Sequence, residues 1–377
     1  MAMSYTKKIK ISLLLASSLV LWACQGEETV KNDEVEVVTQ ASPTTQEYTG
    51  AALKIVKTPV SRTETLLHTA VQIQIFHEGE VIDEAMDAIF TYMEEMEQQF
   101  STNLEGSDVY RINQAAGKEA VEVDQETFAV IKQALSIAEQ SGGKFDITIG
   151  AVTNLWQIGS DDARKPSDEE IEAAIQLIDY RKVTLDEAST TVKLEDEGME
   201  IELGGISKGY IGGRVKDILA SYGVTTAIVN LGGNVVVMGT SPGNDEGWNV
   251  GVQDPDESRG QVVGTQRVTD GAIVTSGIYE RFLEVDGVKY HHILDPKTGY
   301  PLDNEVSGVT VFANTSFEGD SYSTALFLFG IENGIEFVES IDGLEAVFVD
   351  KDHGVYLTSG LKDTFVLTNE GYYLNEQ

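Results

Sequence analysis

Apolar residues recur along this chain with two different periods, and the switches between them mark out its elements. Val71, Ile73 and Ile75 alternate with polar neighbours, so a strand with one buried face is expected over residues 66–76. Met86, Ile89, Phe90, Met93 and Met96 follow at helical spacing and predict an amphipathic helix over 82–100, its methionine stripe serving as core packing. A short helix is expected at 107–113. A longer one is expected over 127–140, with Phe128, Ile131, Leu135 and Ala138 inward, stopping at the C-cap signal Ser141-Gly142-Gly143.

Further on, a helix is expected over 168–177, short strands at 183–185 and 191–194, and a helix over 211–222. Strands are read at 227–230, 235–238, 248–252, 272–275 and 307–312. A helix begins in the stretch 323–329. Between the later strands, residues 282–285 and 288–290 flank Asp286-Gly287, a dipeptide that favours a two-residue hairpin turn. Helices and strands alternate without a strict βαβ rhythm, and no repeat of fixed period is evident. The expected class is α+β, with mixed, largely antiparallel sheets flanked by helices.

The first residues follow a different pattern. Lys7, Lys8 and Lys10 precede an apolar run over 11–20 that is too short for a comfortable membrane span and has the layout of a bacterial export signal. The run ends in Leu21-Trp22-Ala23-Cys24, which resembles a lipobox; Cys24, the chain's only cysteine, is the expected lipidation site, carrying a diacylglyceryl thioether. The organisation expected is a signal peptide over 1–23, a flexible tether over 24–62, and one folded catalytic domain over 63–377. The body is expected on the extracytoplasmic face of a cell membrane, held by the lipid anchor.

Formal charge is −36, and loss of the signal lysines makes it more negative. Such a surface repels nucleic acid phosphate, so no nucleic acid partner is expected. An anionic ligand would need local help from metal, backbone N–H groups or a few placed cations.

Several stretches have the composition for that help. His291-His292 leaves the second hairpin strand and enters Asp295-Pro296-Lys297-Thr298-Gly299-Tyr300-Pro301, where two prolines restrict the backbone. This is either a rigid loop holding an imidazole in place or a surface turn with incidental histidines. Gly204-Gly205-Ile206-Ser207-Lys208-Gly209 is either a tight turn or a backbone approach to an anion at a helix start. Asp320 is read as an N-cap, or together with Thr324 as a hard-oxygen ligand for Mg²⁺. Asn230-Leu231-Gly232-Gly233-Asn234 is a third glycine loop, either a turn between strands or a backbone approach to a ring system.

Taken in order, these stretches resemble the FAD:protein FMN transferases, the ApbE-type flavin transferases. The resemblance runs from about Leu67 to Phe365. It is carried by Leu67-His68-Thr69, Phe100-Ser101 to Ser107, Gly142 to Gly150, Leu203 to Tyr210 and Asn230 to Asn234. Thr275-Ser276-Gly277 with Tyr279 and Arg281, His292 to Gly299, and Asp320 to Ala325 complete it. It implies that FAD binds with Mg²⁺ at its pyrophosphate and that a Thr or Ser hydroxyl of an extracytoplasmic client protein attacks the FMN-side phosphorus. AMP then leaves, and FMN stays on the client through a phosphodiester bond.

The resemblance places the cation near the Gly205 carbonyl, Asp320 and Thr324, with Ser323 adjacent. Leu67, Asn103, Phe145, Asp146, Ile147, Glu202, Lys208 and Ile293 fall where the family contacts FAD. His292 is the candidate general base, its alternative role being to orient the phosphate. Leu67 stands in place of the family's usual Met, and Asn103 where many members carry Tyr. Two other readings stay open at this point: a Mg²⁺-dependent FAD pyrophosphatase giving FMN and AMP, and a non-catalytic flavin-binding lipoprotein.

Overall fold

The computed structural model describes residues 48–244 and 246–375. The export signal, Cys24 and most of the expected tether lie outside the described residues.

A nine-stranded sheet forms the middle layer. Its strands are β1 (Lys54–Leu66), β2 (Thr69–Glu78), β3 (Ala227–Leu231), β4 (Asn234–Met238), β5 (Gly271–Gly277), β6 (Val306–Ala313), β7 (Glu345–Asp350), β8 (Gly354–Leu357) and β9 (Tyr373–Leu374). They neighbour one another in that same order. All pairings are antiparallel except β8 with β9. The expected class, α+β with largely antiparallel sheets, is the one observed. β1 was not anticipated: Lys54–Arg62, read as the end of the tether, pairs with β2 along the sheet edge.

Among the described residues, eight α-helices fill the connections: α1 (Val81–Phe100), α2 (Asp108–Gln114), α3 (Gln125–Gln140), α4 (Gly150–Trp156), α5 (Asp168–Ala174), α6 (Ser207–Ser221), α7 (Ser316–Phe329) and α8 (Ile331–Glu339). One face of the sheet, including Val71, Ile73, Ile75, Val229 and Val311, shares a core with the methionine face of α1 and with α6 and α7. The other face, including Phe76, Val237, Ile273 and Phe312, packs on Trp248, Val252 and Val263 of a small three-stranded sheet. β6 lies between both cores, and all eight of its residues are buried, as a strand covered on two faces requires.

Several boundaries follow local rules. Asp286 and Gly287 both have positive φ, and the turn they form joins strands paired from Phe282 to His291. Helix α3 ends where Gly142 and Gly143 take left-handed φ. Two helix starts differ from expectation. α6 begins at Ser207 rather than 211. α7 begins at Ser316 behind the N-cap Thr315, so Asp320 lies inside a helix and does not cap it.

A third cluster seats the histidine loop. Trp156 of α4 is fully buried among Val152, Ile171 and Leu294, and its Nε1 donates to the Gly299 carbonyl at 2.8 Å. The loop closes on itself through the Asp295 N–H to the Tyr300 carbonyl and the Gly299 N–H to the Asp295 carbonyl. The loop carrying His292 is therefore held from below by an indole.

Candidate active site

A cavity of about 350 Å³ opens where α6 and α7 begin, below the β1–β2 turn and beside the histidine loop. That volume lies within the range of small-molecule sites. The sequence-derived candidates Leu67, Asn103, Phe145, Asp146, Ile147, Glu202, Gly205, Lys208, His292, Ile293, Asp320 and Thr324 all line it. They come from stretches up to 257 residues apart in the chain, from Leu67 to Thr324.

Asp320 is 3% exposed, and the glycines of α6 let it reach that helix. A Cβ at Gly209 would lie 2.4 Å from the Asp320 Cβ, so α6 and α7 approach closely only because residue 209 has none. The Gly209 N–H donates to Asp320 Oδ2 at 2.7 Å. Gly209 stands in the first turn of α6, where backbone N–H groups have no partner within the helix. Gly205 precedes the N-cap Ile206 and lines the cavity, its carbonyl outside the helix ladder. Asp320 thus serves as a cap after all, for α6 rather than for its own helix.

Burial pushes the Asp320 carboxyl up, opposed by Lys208 and the Gly209 N–H. The Lys208 Nζ stands 3.7 Å from Asp320 Oδ1 and donates to the Gly204 carbonyl at 3.3 Å. The position a Cβ would take at Gly205 is 3.8 Å from Thr324 Oγ1 and 3.2 Å from the Phe145 ring. Among the described residues, Thr324 Oγ1 has no hydrogen-bond partner. One buried carboxylate, one backbone carbonyl ahead of α6 and one unpaired hydroxyl are hard oxygen donors at a common wall. Mg²⁺ is commonly held by one or two carboxylates together with substrate phosphates, and these residues fit it. Ser323 does not join them: it is fully buried, its hydroxyl donates to the Asp320 carbonyl, and it accepts from Ser276 Oγ at 2.9 Å. No cluster of three or more His, Cys, Asp or Glu suited to a metal occurs among the described residues.

The two histidines separate by face, as alternation along an extended strand requires. His292 Nδ1 faces the Arg281 carbonyl at 3.3 Å, and the His292 N–H donates to the same carbonyl at 3.1 Å. A ring nitrogen facing a carbonyl must carry the proton, so Nε2 holds the lone pair. Burial pushes the His292 ring down to about 4, with the Arg281 charge acting in the same direction. His291 turns away. Its Nε2 lies 2.8 Å from the Leu302 carbonyl, its Nδ1 accepts from the Ile293 N–H, and its ring packs edge-on against Phe327.

The remaining candidates divide into apolar walls and polar struts. Phe145, Ile147 and Ile293 are buried side chains at the cavity surface. The Asp146 carboxylate accepts from the Thr148 N–H and hydroxyl and from the Tyr180 N–H, so it braces the loop after α3. Burial pushes the Asp146 carboxyl up. Glu202 Oε1 accepts from the Gly204 N–H at 2.9 Å. Its carboxyl is also raised by burial, opposed by that N–H, by Lys208 and by Arg281. Asn103 is exposed on the loop after α1, where the Ser101 and Ser107 hydroxyls hold the backbone.

Glu97, Lys144, Ser276 and Arg281 also line the cavity and were not among the candidates. Arg281 had a signal, since it stands in the stretch beginning at Thr275. Its stem lies over Gly159, where a Cβ would come within 3.0 Å of Arg281 Cδ. Glu97 had a weaker one, an acid in the last turn of a helix.

Comparison with known proteins shows the family and the fold. The ApbE family model matches residues 67–348. The FAD:protein FMN transferase of Treponema pallidum (strain Nichols) is 34% identical over 317 residues, spanning 80% of this chain and 88% of that protein. The FAD:protein FMN transferase of Klebsiella pneumoniae (strain 342) is 36% identical over 291 residues, 77% of this chain and 90% of that protein. Among solved structures, the ApbE protein of Thermotoga maritima superposes with a TM-score of 0.74 at 35% identity, covering 81% of this chain and 99% of that one. The flavin transferase ApbE from Vibrio cholerae superposes with a TM-score of 0.71 at 28% identity and the same coverage.

Proposed function

The chain belongs to the ApbE family and is an FAD:protein FMN transferase, and on that premise we propose how its own residues perform the transfer. FAD occupies the cavity, and a Thr or Ser hydroxyl of an extracytoplasmic client protein enters beside His292. The client oxygen bonds to the FMN-side phosphorus, the bond from that phosphorus to the AMP oxygen breaks, and AMP departs. The hydroxyl proton passes to His292 Nε2.

The Gly205 carbonyl, Asp320 and Thr324 would hold Mg²⁺, which when bound would supply positive charge to the pyrophosphate. Lys208 adds a fixed cation beside Asp320. The hydrogen bond from Ser276 to Ser323 ties the middle of α7 to β5. Phe145, Ile147 and Ile293 supply apolar surface for a ring system and exclude water from it. Asp146 and Glu202 hold the backbone of two loops that form the wall.

The observation that carries this reading is the pinned tautomer of His292. Its Nδ1 is committed to the Arg281 carbonyl, and among the described residues its Nε2 has no partner, in the same cavity as Asp320. A site that only stored flavin would need no unprotonated imidazole there. Lipid anchoring through Cys24 and an extracytoplasmic position rest on the sequence over residues 7–24.

Incubation with FAD, Mg²⁺ and a client domain bearing an accessible Thr or Ser tests the proposal. The expected result is covalent flavin fluorescence on the client and one AMP per label. AMP without label would make the protein a pyrophosphatase, and bound FAD with neither product would make it a carrier.

A further inference from the structure

The turn joining β1 to β2 is strained, and the strain lies at the cavity wall. Leu66 pairs with Thr69, leaving Leu67 and His68 as a two-residue turn with φ of +53° and +55°. Both positions of such a turn favour Gly, Asn or Asp. Here neither residue is one of these, and no other consecutive pair of non-glycine residues with positive φ occurs among the described residues. Strain of this kind persists only where the surroundings over-determine it.

Three elements do so. Glu97 Oε1 accepts from the Leu67 N–H at 2.9 Å. Arg281 Nη2 lies 3.5 Å from the His68 carbonyl, and the Thr69 side chain fills the space a Cβ would take at Gly232. Glu97, Leu67, His68, Arg281 and Gly232 all line the same cavity.

Glu97 is the unexpected member. It stands in the last turn of α1, where the helix carbonyls disfavour a carboxylate and no basic residue is present to offset it. It is half-buried and makes no salt bridge among the described residues; its partner is a backbone N–H on another element. We propose that Glu97 is a positioning residue for FAD: it holds the Leu67–His68 turn in its left-handed conformation so that Leu67 forms part of the flavin-binding wall. This rests on the reading of the cavity as the FAD site. Glu97 acts through Leu67 and not on the reacting atoms, so its loss falls on FAD affinity and not on the transfer step.

The experiment compares FAD affinity by fluorescence quenching, KM and kcat for wild type, Glu97→Ala, Glu97→Gln and the double variant Glu97→Ala/His68→Gly. Glu97→Ala should weaken FAD about 10-fold with kcat at saturation within about threefold. Glu97→Gln keeps an acceptor oxygen and should recover most of the affinity. The double variant should recover at least about threefold, because glycine removes strain at residue 68. Hydrogen exchange on the wild-type chain adds a readout that needs no variant: the Leu67 amide should be protected. Wild-type affinity in Glu97→Ala, an equal loss in Glu97→Gln, no recovery in the double variant, or an unprotected Leu67 amide would each overturn the proposal. A wild-type protein that does not bind FAD at all would overturn the flavin reading of the cavity instead.

Discussion

His292→Asn is the change that separates catalysis from binding. The ring is held by one carbonyl and contributes one free nitrogen, so its removal deletes a proton acceptor while leaving Asp320, Lys208 and the apolar walls in place. General-base catalysis typically supplies about 10²–10⁴-fold. At 1.36 kcal/mol per decade, the transition state should lose about 3–5 kcal/mol. FAD affinity should change less than about threefold, since none of the apolar or metal-binding groups is altered. The pH profile gives a second handle. Burial and Arg281 push the ring down to about 4, so it is an unprotonated base throughout the neutral range. Its protonation should cut kcat/KM only as pH falls through about 4, and the variant should lack that acid limb. The assay is initial-rate flavin labelling of a client domain from pH 3.5 to 8, with FAD affinity measured at each pH. Equal losses of rate and affinity would make His292 a ligand contact, and an acid limb near 6.5 would mean that the ring is solvated during turnover. His291→Asn is the control. It loses the Leu302 and Ile293 hydrogen bonds, so it should lower thermal stability by about 1–3 kcal/mol while transfer by the folded protein persists.

Other expectations follow from the same contacts. Asp320→Asn keeps an acceptor for the Gly209 N–H but removes the buried charge; transfer should fall about 100-fold or more with the fold intact by circular dichroism, and undiminished wild-type turnover in excess chelator would refute the Mg²⁺ reading. Cys24→Ser should abolish detergent partitioning, because the chain has no second cysteine to carry a thioether; unchanged partitioning would exclude the lipobox. His77 is buried and its Nε2 accepts from the Thr225 and Thr226 N–H groups, which requires a neutral ring. Burial depresses its pKa below 6.5, so the folded state binds fewer protons. Its contribution should be complete above pH 6.5 and be lost as pH falls toward the depressed value. Urea midpoints of wild type and His77→Gln should therefore converge between pH 7.5 and 5; a constant gap would refute the assignment.

Much of this protein is encoded locally. The Asp286-Gly287 turn, the stop of α3 at Gly142-Gly143 and the opposite faces of His291 and His292 follow from backbone dihedral preferences and strand alternation, which each residue carries with it. The order of the short motifs was likewise legible, and with it the set of residues that would meet in one cavity. Other features had no local signal. β1 was missed because it is a sheet edge with most residues exposed, so no buried face imposes alternation on it. The start of α7 was missed because that helix is buried on nearly every side, which erases the helical period.

What only the tertiary structure decided is which donor meets which acceptor. Asp320 reads as a cap of its own helix, yet it lies within α7 and accepts a hydrogen bond from the Gly209 N–H of α6, 111 residues earlier. That contact depends on a glycine whose reason is visible only once the two helices touch. The His292 tautomer is set by the carbonyl of Arg281 across a hairpin, and the Leu67 turn by a carboxylate at the end of α1. Residue type and local period limit what each group is able to do. A hydrogen bond also needs a partner at about 3 Å, and that distance exists only after the chain has packed.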